Sequence, residues 1–371
     1  MSGPRLTMLA EALPSSVPFV GPETQERALG RPFAARLGAN ESGFGPSPKA
    51  VAALATAASL AWRYGDPEAF DLRHALSRHL ELPSDYIVIG EGIDGLLGLL
   101  VRLLVAPGDP VVTSDGAYPT FNYHVAGFGG VLHKVPYRED REDLGGLLAK
   151  VRETGARLVY LANPDNPMGT WHLAEAVASF ADALPADCVL CLDEAYGEFA
   201  PDGVLPPLEP VRANVVRMRT FSKAYGLAGL RVGYAITAAP LAKAFDKVRN
   251  HFGTGGPAQA AAVAALADGA HLESVRENVA TAKRRIVRIG AANGLRAVES
   301  ATNFQTLDTG RDGDFARAVV AALAERGVFI RMPFVAPQDR CIRISCAPDA
   351  ELDVFEGALP DALAATREQV A

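Results

Sequence analysis

Cysteine is scarce in this chain: four residues, at 188, 191, 341 and 346, among 371. Cys188 and Cys191 form a C-x-x-C, but it lies inside "CVLCLDE", an apolar strand-like run. No second C-x-x-C or histidine pair completes a zinc set, which leaves buried strand thiols as the plain reading and no metal site. Basic runs are missing too. The formal net charge is −7, and no cluster of Lys and Arg would track a nucleic-acid backbone. A small-molecule partner is the expectation. No stretch approaches about 18 uninterrupted apolar residues, so no membrane span is predicted. The opening "MSGPRLTMLAEALPSSV" lacks a basic region followed by a long apolar run, the mark of a secretory signal. These absences predict a soluble, cytoplasmic protein. Internal repeats and low-complexity tracts are absent as well.

What the chain does have is apolar residues, 49% against 21% charged, enough for a large core and against disorder. Its length suggests more than one domain. Residues 1–45 read as an N-terminal arm that also contributes to a small domain. From 46 to 250, strand candidates at 86–89, 110–114, 130–135, 157–162, 188–193, 214–220 and 231–236 alternate with helical patterns such as 93–105 and 173–183. That alternation predicts a mainly parallel seven-stranded sheet covered by helices. Residues 251–371 begin with an Ala-rich helical stretch over 257–290. "RAVESATNFQTLD", "DFARAVVAALAERG" and "CIRISCAP" then give strand, helix and strand, and a last helix closes a smaller α/β domain.

The stretch "DYIVIGEGIDGLLGLLVRLL" carries a literal G-x-G-x-x-G at Gly90, Gly92 and Gly95, between a short strand and a leucine-rich helix. Asp115 stands about where the ribose-binding acid of a dinucleotide site would be. The same loop suits any phosphate, because backbone N–H groups at a helix N-terminus bind anions in general. A dinucleotide loop usually opens the first βαβ unit of its domain, whereas this one follows some 85 residues, which argues for another phosphate.

Three further segments say which. In "RTFSKAYGLAGLRVGYA", Lys223 follows a strand with Thr220, Ser222 and Arg231 around it. Two hydroxyls and an arginine are good phosphate ligands. A lysine beside a phosphate site is what pyridoxal 5'-phosphate (PLP) needs, since that cofactor is held as a Schiff base. "VLCLDEAYGEF" ends a strand with Asp193, with Tyr196 three residues on; an acid there can keep the cofactor's pyridine nitrogen protonated, or it can simply cap a helix. "LVYLANPDNPMGT" ends another strand in a rigid turn that presents Asn166.

"NPDNPMGT", "LDEAY" and "TFSKAYGLAGLRVGY", in this order, resemble the fold-type I PLP-dependent aminotransferases of class I/II, in particular the histidinol-phosphate aminotransferase branch. "GANESGFGPSP" at 38–48, "WRYGDPEAFDLRHAL" at 62–76 and "CIRISCAP" at 341–348 fit the same branch, so the resemblance spans about residues 36–350. It implies that Lys223 is the Schiff-base lysine and proton carrier, that Asp193 pairs with the pyridine nitrogen, and that Asn166 and Tyr196 bond the ring oxygen. Tyr118 would stack on the ring. Gly92, Ile93 and Asp94 would cup the phosphate by their backbone N–H groups, with Thr220, Ser222 and Arg231. Tyr64 would reach that phosphate from the second subunit of a homodimer. Asn40, Arg331 and Arg343 would meet the substrate, an amino donor and then a 2-oxo acid.

The chain departs from the branch at Ile93-Asp94-Gly95, where Ser or Ala and then Asp-Glu are usual, at Cys346-Ala347-Pro348, where Gly usually follows the strand, and at Met332-Pro333-Phe334. The cofactor residues would serve a decarboxylase similar to threonine-phosphate decarboxylase, or an aromatic amino-acid aminotransferase, equally well. Only the arginines bear on substrate: Arg343 alternates with Ile342 and Ile344, so it can face the cofactor while they pack inward.

Overall fold

The computed structural model describes residues 5–14 and 20–370; parts of the N-terminal stretch read for a signal, 1–4 and 15–17, lie outside them. Seven strands form the large sheet: β1 (Ile87–Gly90), β2 (Pro110–Ser114), β3 (Val131–Val135), β4 (Leu158–Ala162), β5 (Val189–Asp193), β6 (Val215–Thr220) and β7 (Gly233–Ile236). Their order is β1-β7-β6-β5-β4-β2-β3. All are mutually parallel except β7, which runs antiparallel to both β1 and β6. Helices cover both faces, so the central strands are continuous apolar runs rather than alternating ones; every residue of β4 is buried. One core contains Leu96, Leu97, Leu100 and Val101 from the helix Gly92–Leu104. Another holds Leu147, Val151, Val177 and Phe180 on the helices Leu144–Thr154 and Ala174–Ala183.

This topology collects chain ends at one sheet edge. Ala162 pairs with Asp193, Asp193 with Met218, Thr220 with Gly233, and Gly233 with Gly90. The carboxyl ends of β1, β4, β5 and β6, and the amino end of antiparallel β7, therefore lie side by side. In open α/β sheets that edge is where ligands bind. Gly233 must be glycine there, because a Cβ would come within 2.9 Å of the Arg219 carbonyl oxygen and 3.1 Å of the Gly92 backbone.

A third core belongs to the smaller α/β unit. Strands β8 (Phe304–Asp308) and β9 (Cys341–Ser345) pair antiparallel, with Thr306 opposite Arg343. The helices Gly269–Ala292, Gly313–Glu325 and Asp349–Val370 pack on them through Val275, Ile286, Phe315, Leu323, Leu352 and Phe355. The segment "VFIRM" at 328–332 meets "CIRIS" at one residue only. Val328–Phe329 pairs with Ala35–Arg36 near the chain start, and only Arg331 bridges to Arg343, through two backbone hydrogen bonds. The chain before residue 30 is less irregular than its composition suggests, since Pro22–Leu29 is a helix. All four cysteines are buried free thiols. Among the described residues no helix is long and apolar enough to cross a membrane.

Candidate active site

A cleft of about 440 Å³ opens at the sheet edge just described. Its walls include Ile93, Asp94, Tyr118, Asn166, Asp193, Tyr196, Thr220, Ser222, Lys223, Arg231, Arg331 and Arg343, and also Asn40. The residues singled out in the sequence thus converge, apart from Gly92, which abuts the cleft through Arg231, and Tyr64. Tyr64 is exposed and stacks on Phe252, ring centroids 4.6 Å apart, away from its own cleft. A larger concavity of about 550 Å³ lies between β1 and residues 239–259 and contains none of the lysine, tyrosine or arginine set.

One end of the cleft is built for an anion. The helix Gly92–Leu104 starts here, and its first N–H groups have no partners within the helix. Gly92 takes φ +71°, and a Cβ on it would meet Arg231 Nη2 at 2.6 Å, so only glycine lets the guanidinium lie against the loop. Thr220 Oγ1 donates to Ser222 Oγ at 2.9 Å, and Arg231 Nη1 reaches the same Ser222 oxygen at 3.4 Å. Arg231 is held at φ +50°, a strain of about 1–3 kcal/mol that persists only where neighbours over-determine it. The Asp94 carboxylate, and not only its backbone N–H, takes part. It accepts from Tyr118 Oη at 2.9 Å and pairs with Arg231 Nη2 at 3.3 Å.

Lys223 follows β6 and is half-buried. Its Nζ donates to the Asn40 carbonyl at 3.1 Å and lies 5.7 Å from the centroid of the Tyr196 ring. Burial, reinforced by the positive Arg343, pulls its pKa down to about 8, because desolvation and like charge both disfavour the ammonium. Asn40, at φ +55°, donates from Nδ2 to Tyr196 Oη at 3.0 Å, and Asn303 Nδ2 holds the Asn40 carbonyl at 3.1 Å.

Asp193 ends β5, buried at the cleft floor. Oδ1 accepts the Ala195 N–H at 2.9 Å, and Oδ2 accepts Tyr160 Oη at 2.7 Å. Burial pushes its pKa up to about 6, against the pull of the Tyr160 bond. The N-cap alternative is met only in part: the Ala195 bond is a local turn bond, and the short 3₁₀ helix nearby, Gly197–Phe199, has Tyr196 at its cap. Behind Asp193, Glu194 is wholly buried and paired with Arg217, Nη2 at 2.6 Å, and with Arg219, Nε at 2.9 Å. Burial opposes its charge, but the two guanidinium groups hold its pKa below the usual carboxylate range. This buried triad ties the ends of β5 and β6 together.

Arg343 enters from β9. Its Nη1 donates to Asn166 Oδ1 and its Nη2 to the Gly38 carbonyl at 3.3 Å. Buried Nε of Arg343 has no hydrogen-bond partner among the described residues. Burial lowers this guanidinium's pKa to about 10. Arg331 Nη2 donates to the Val20 carbonyl at 2.8 Å. Exposed Phe334 closes the rim beside it. Sequence reasoning missed Tyr160, Asn303 and the Asp94 carboxylate. For Tyr160 the sequence held no signal, because its place opposite Cys191, two residues short of Asp193, appears only in the register of β4 and β5.

These groups fit PLP by their chemistry. The glycine cradle with Ser222, Thr220 and Arg231 suits its phosphate, Asp193 suits a protonated ring nitrogen, and an amine of lowered pKa suits its aldehyde. The family described as aminotransferase class I and II matches residues 35–359. The histidinol-phosphate aminotransferase of Moorella thermoacetica is 34% identical over 361 residues, 95% of this chain and 92% of that protein. The aromatic amino acid aminotransferase of Mycobacterium avium is 37% identical over 327 residues, 85% of this chain and 92% of that one. The crystal structure of histidinol-phosphate aminotransferase from Sinorhizobium meliloti in complex with PLP is 56% identical. It covers 98% of this chain and 99% of its own, with a TM-score of 0.96.

Proposed function

This chain belongs to the class I and II aminotransferases and is a PLP-dependent enzyme of that family, and from that premise we propose that it moves an amino group from a phosphorylated amino alcohol of the histidinol phosphate kind to a 2-oxo acid. The observation that carries the substrate reading is the pair of arginines. Arg331 and Arg343 are joined backbone to backbone and line one cleft with Lys223. Arg suits bidentate binding of phosphate and carboxylate alike. Arg331 would take the phosphate of the donor and the distal carboxylate of a dicarboxylic acceptor, and Arg343 the α-carboxylate or its equivalent.

When bound, PLP supplies an aromatic ring that draws electrons from the substrate Cα–H bond. The chain does the rest. Asp193 holds the proton on the pyridine nitrogen by a charge-assisted hydrogen bond. The Asn166 amide and Tyr196 hydroxyl donate toward the ring oxygen. Lys223 Nζ would hold the cofactor aldehyde at rest and, once free, would carry the proton taken from substrate Cα, a general acid–base role. A lysine with a pKa near 8 can do both.

A second reading, an aromatic donor, is favoured by the M. avium relative and by Phe334 at the rim. Mixing the yellow holoenzyme with one amine at a time, without acceptor, separates the two. Histidinol phosphate is expected to bleach the cofactor band faster than phenylalanine or tyrosine at equal concentration. The reverse order would replace the phosphate reading with the aromatic one.

We also propose a homodimer with shared sites, on the ground that Tyr64 and Phe252 form an exposed aromatic pair off the cleft of their own subunit. Tyr64→Phe subunits mixed with Lys223→Ala subunits under exchange conditions are expected to regain part of the activity, because one of the two sites in a mixed dimer carries neither change. No recovery, with exchange verified by native mass measurement, would mean self-contained sites.

A further inference from the structure

We infer that Tyr160 is a positioning residue for the cofactor: its hydroxyl holds Asp193 in the orientation and ionised state that grip the pyridine nitrogen of PLP. The inference rests on the assignment of Asp193 to that nitrogen.

The geometry follows from the sheet. Tyr160 on β4 stands opposite Cys191 on β5. Residues two apart share a face, and the diagonal neighbour of an opposed pair is within reach of a long side chain. From Tyr160 that diagonal neighbour is Asp193, and the phenol spans to it with a 2.7 Å bond to Oδ2. The ring has no freedom to swing away. It is fully buried and stacks on Phe121, centroids 4.7 Å apart at 22°. Phe121 lies on the helix Pro119–Gly127, immediately after Tyr118, so the floor of the cleft and its far wall are braced together. The Ala195 N–H engages the other oxygen. Asp193 is thus clamped at both oxygens, each with a lone pair left for the cleft.

The clamp also sets charge. Burial favours the protonated acid, and Asp94, Glu194, Glu142, Tyr196 and Cys191 all add negative character to its surroundings when ionised. Glu194 is already paired with two arginines. The Tyr160 phenol is the one side-chain donor that bonds Asp193 among the described residues, and burial beside a carboxylate raises its own pKa far above 10, so it stays a donor at any working pH. A neutral acid can accept from a pyridinium far less strongly than a carboxylate. Tyr160 thereby secures the form of Asp193 that holds the cofactor.

The test is PLP retention by the holoenzyme, measured by dialysis against a pH series. Tyr160→Phe keeps the ring and its stack and removes only the donor. It is expected to raise the Kd for PLP on the order of tenfold and to move upward the pH at which PLP is lost as the solution is acidified. In an Asp193→Asn background the same change is expected to add nothing, since coupled residues act through one interaction. An equal loss in both backgrounds, or an unshifted pH midpoint in Tyr160→Phe, would overturn the positioning role. An Asp193→Asn protein that binds PLP as tightly as the parent would instead overturn the nitrogen pairing itself.

Discussion

Lys223→Ala is expected to lower kcat by a factor on the order of 10²–10⁴ or more, the usual yield of a positioned acid–base group. Nζ of Lys223 sits above Tyr196 and within 3.1 Å of the Asn40 carbonyl, at the edge where Asp193 and the Gly92 loop also end. With an ordinary lysine pKa, almost none of the amine is neutral at pH 7. With a pKa of about 8, roughly one molecule in ten is, and the charged form remains available to give the proton back. The sign follows: the fraction able to accept a proton falls as pH drops below 8. Lys223→Arg, which keeps the charge but cannot deprotonate, should be as inactive as the alanine variant. Steady-state kinetics on both, with PLP content measured beside them, checks this. An alanine variant within tenfold of the parent would remove Lys223 from the proton-transfer step.

Arg343→Ala is expected to weaken kcat/KM for every substrate, by about 2–5 kcal/mol, the range found when one partner of a buried hydrogen-bonded charge pair is lost. Arg331→Ala should instead be selective, striking histidinol phosphate and glutamate while sparing donors with a single anion. The two side chains differ in setting. Arg343 stands between fully buried Ile342 and Ile344 and is bonded to Asn166 and Gly38. Arg331 lies at the rim with Phe334, under the Val20 carbonyl of the N-terminal arm. If Arg331→Ala leaves kcat/KM unchanged for both histidinol phosphate and glutamate, Arg331 is no substrate ligand and the phosphate reading loses its support.

The seven large-sheet strands were legible within two residues because both faces of that sheet are covered. Runs such as "LVYLA" and "VLCLD" must then be apolar throughout, and charges mark their ends. Strand order was not legible. β1 reaches β7 across some 140 residues, and no local pattern records a pairing that far apart. The Pro22–Leu29 helix was missed because Pro and Gly were read as breakers. Here Pro22 opens the helix and Gly30 closes it at φ +68°, the positions where each is favourable. In the cleft, Lys223, Asp193, Asn166 and Arg231 stood out because charged or amide groups at strand ends contradict the core around them. Tyr160 did not, since a tyrosine in a buried strand reads as packing until its hydroxyl is seen to point at a carboxylate. Tyr64 shows the reverse limit: it was visible only by resemblance, and within one subunit it meets Phe252 and not the cleft.

The proposed mechanism requires one covalent bond, between PLP and Lys223. Borohydride reduction of the purified holoenzyme, followed by proteolysis and mass mapping, reads that bond directly. The expected result is a single reduced pyridoxyl label on Lys223, in the peptide that carries "TFSK". A label on any other lysine, or a protein that PLP leaves unlabelled, would contradict the account.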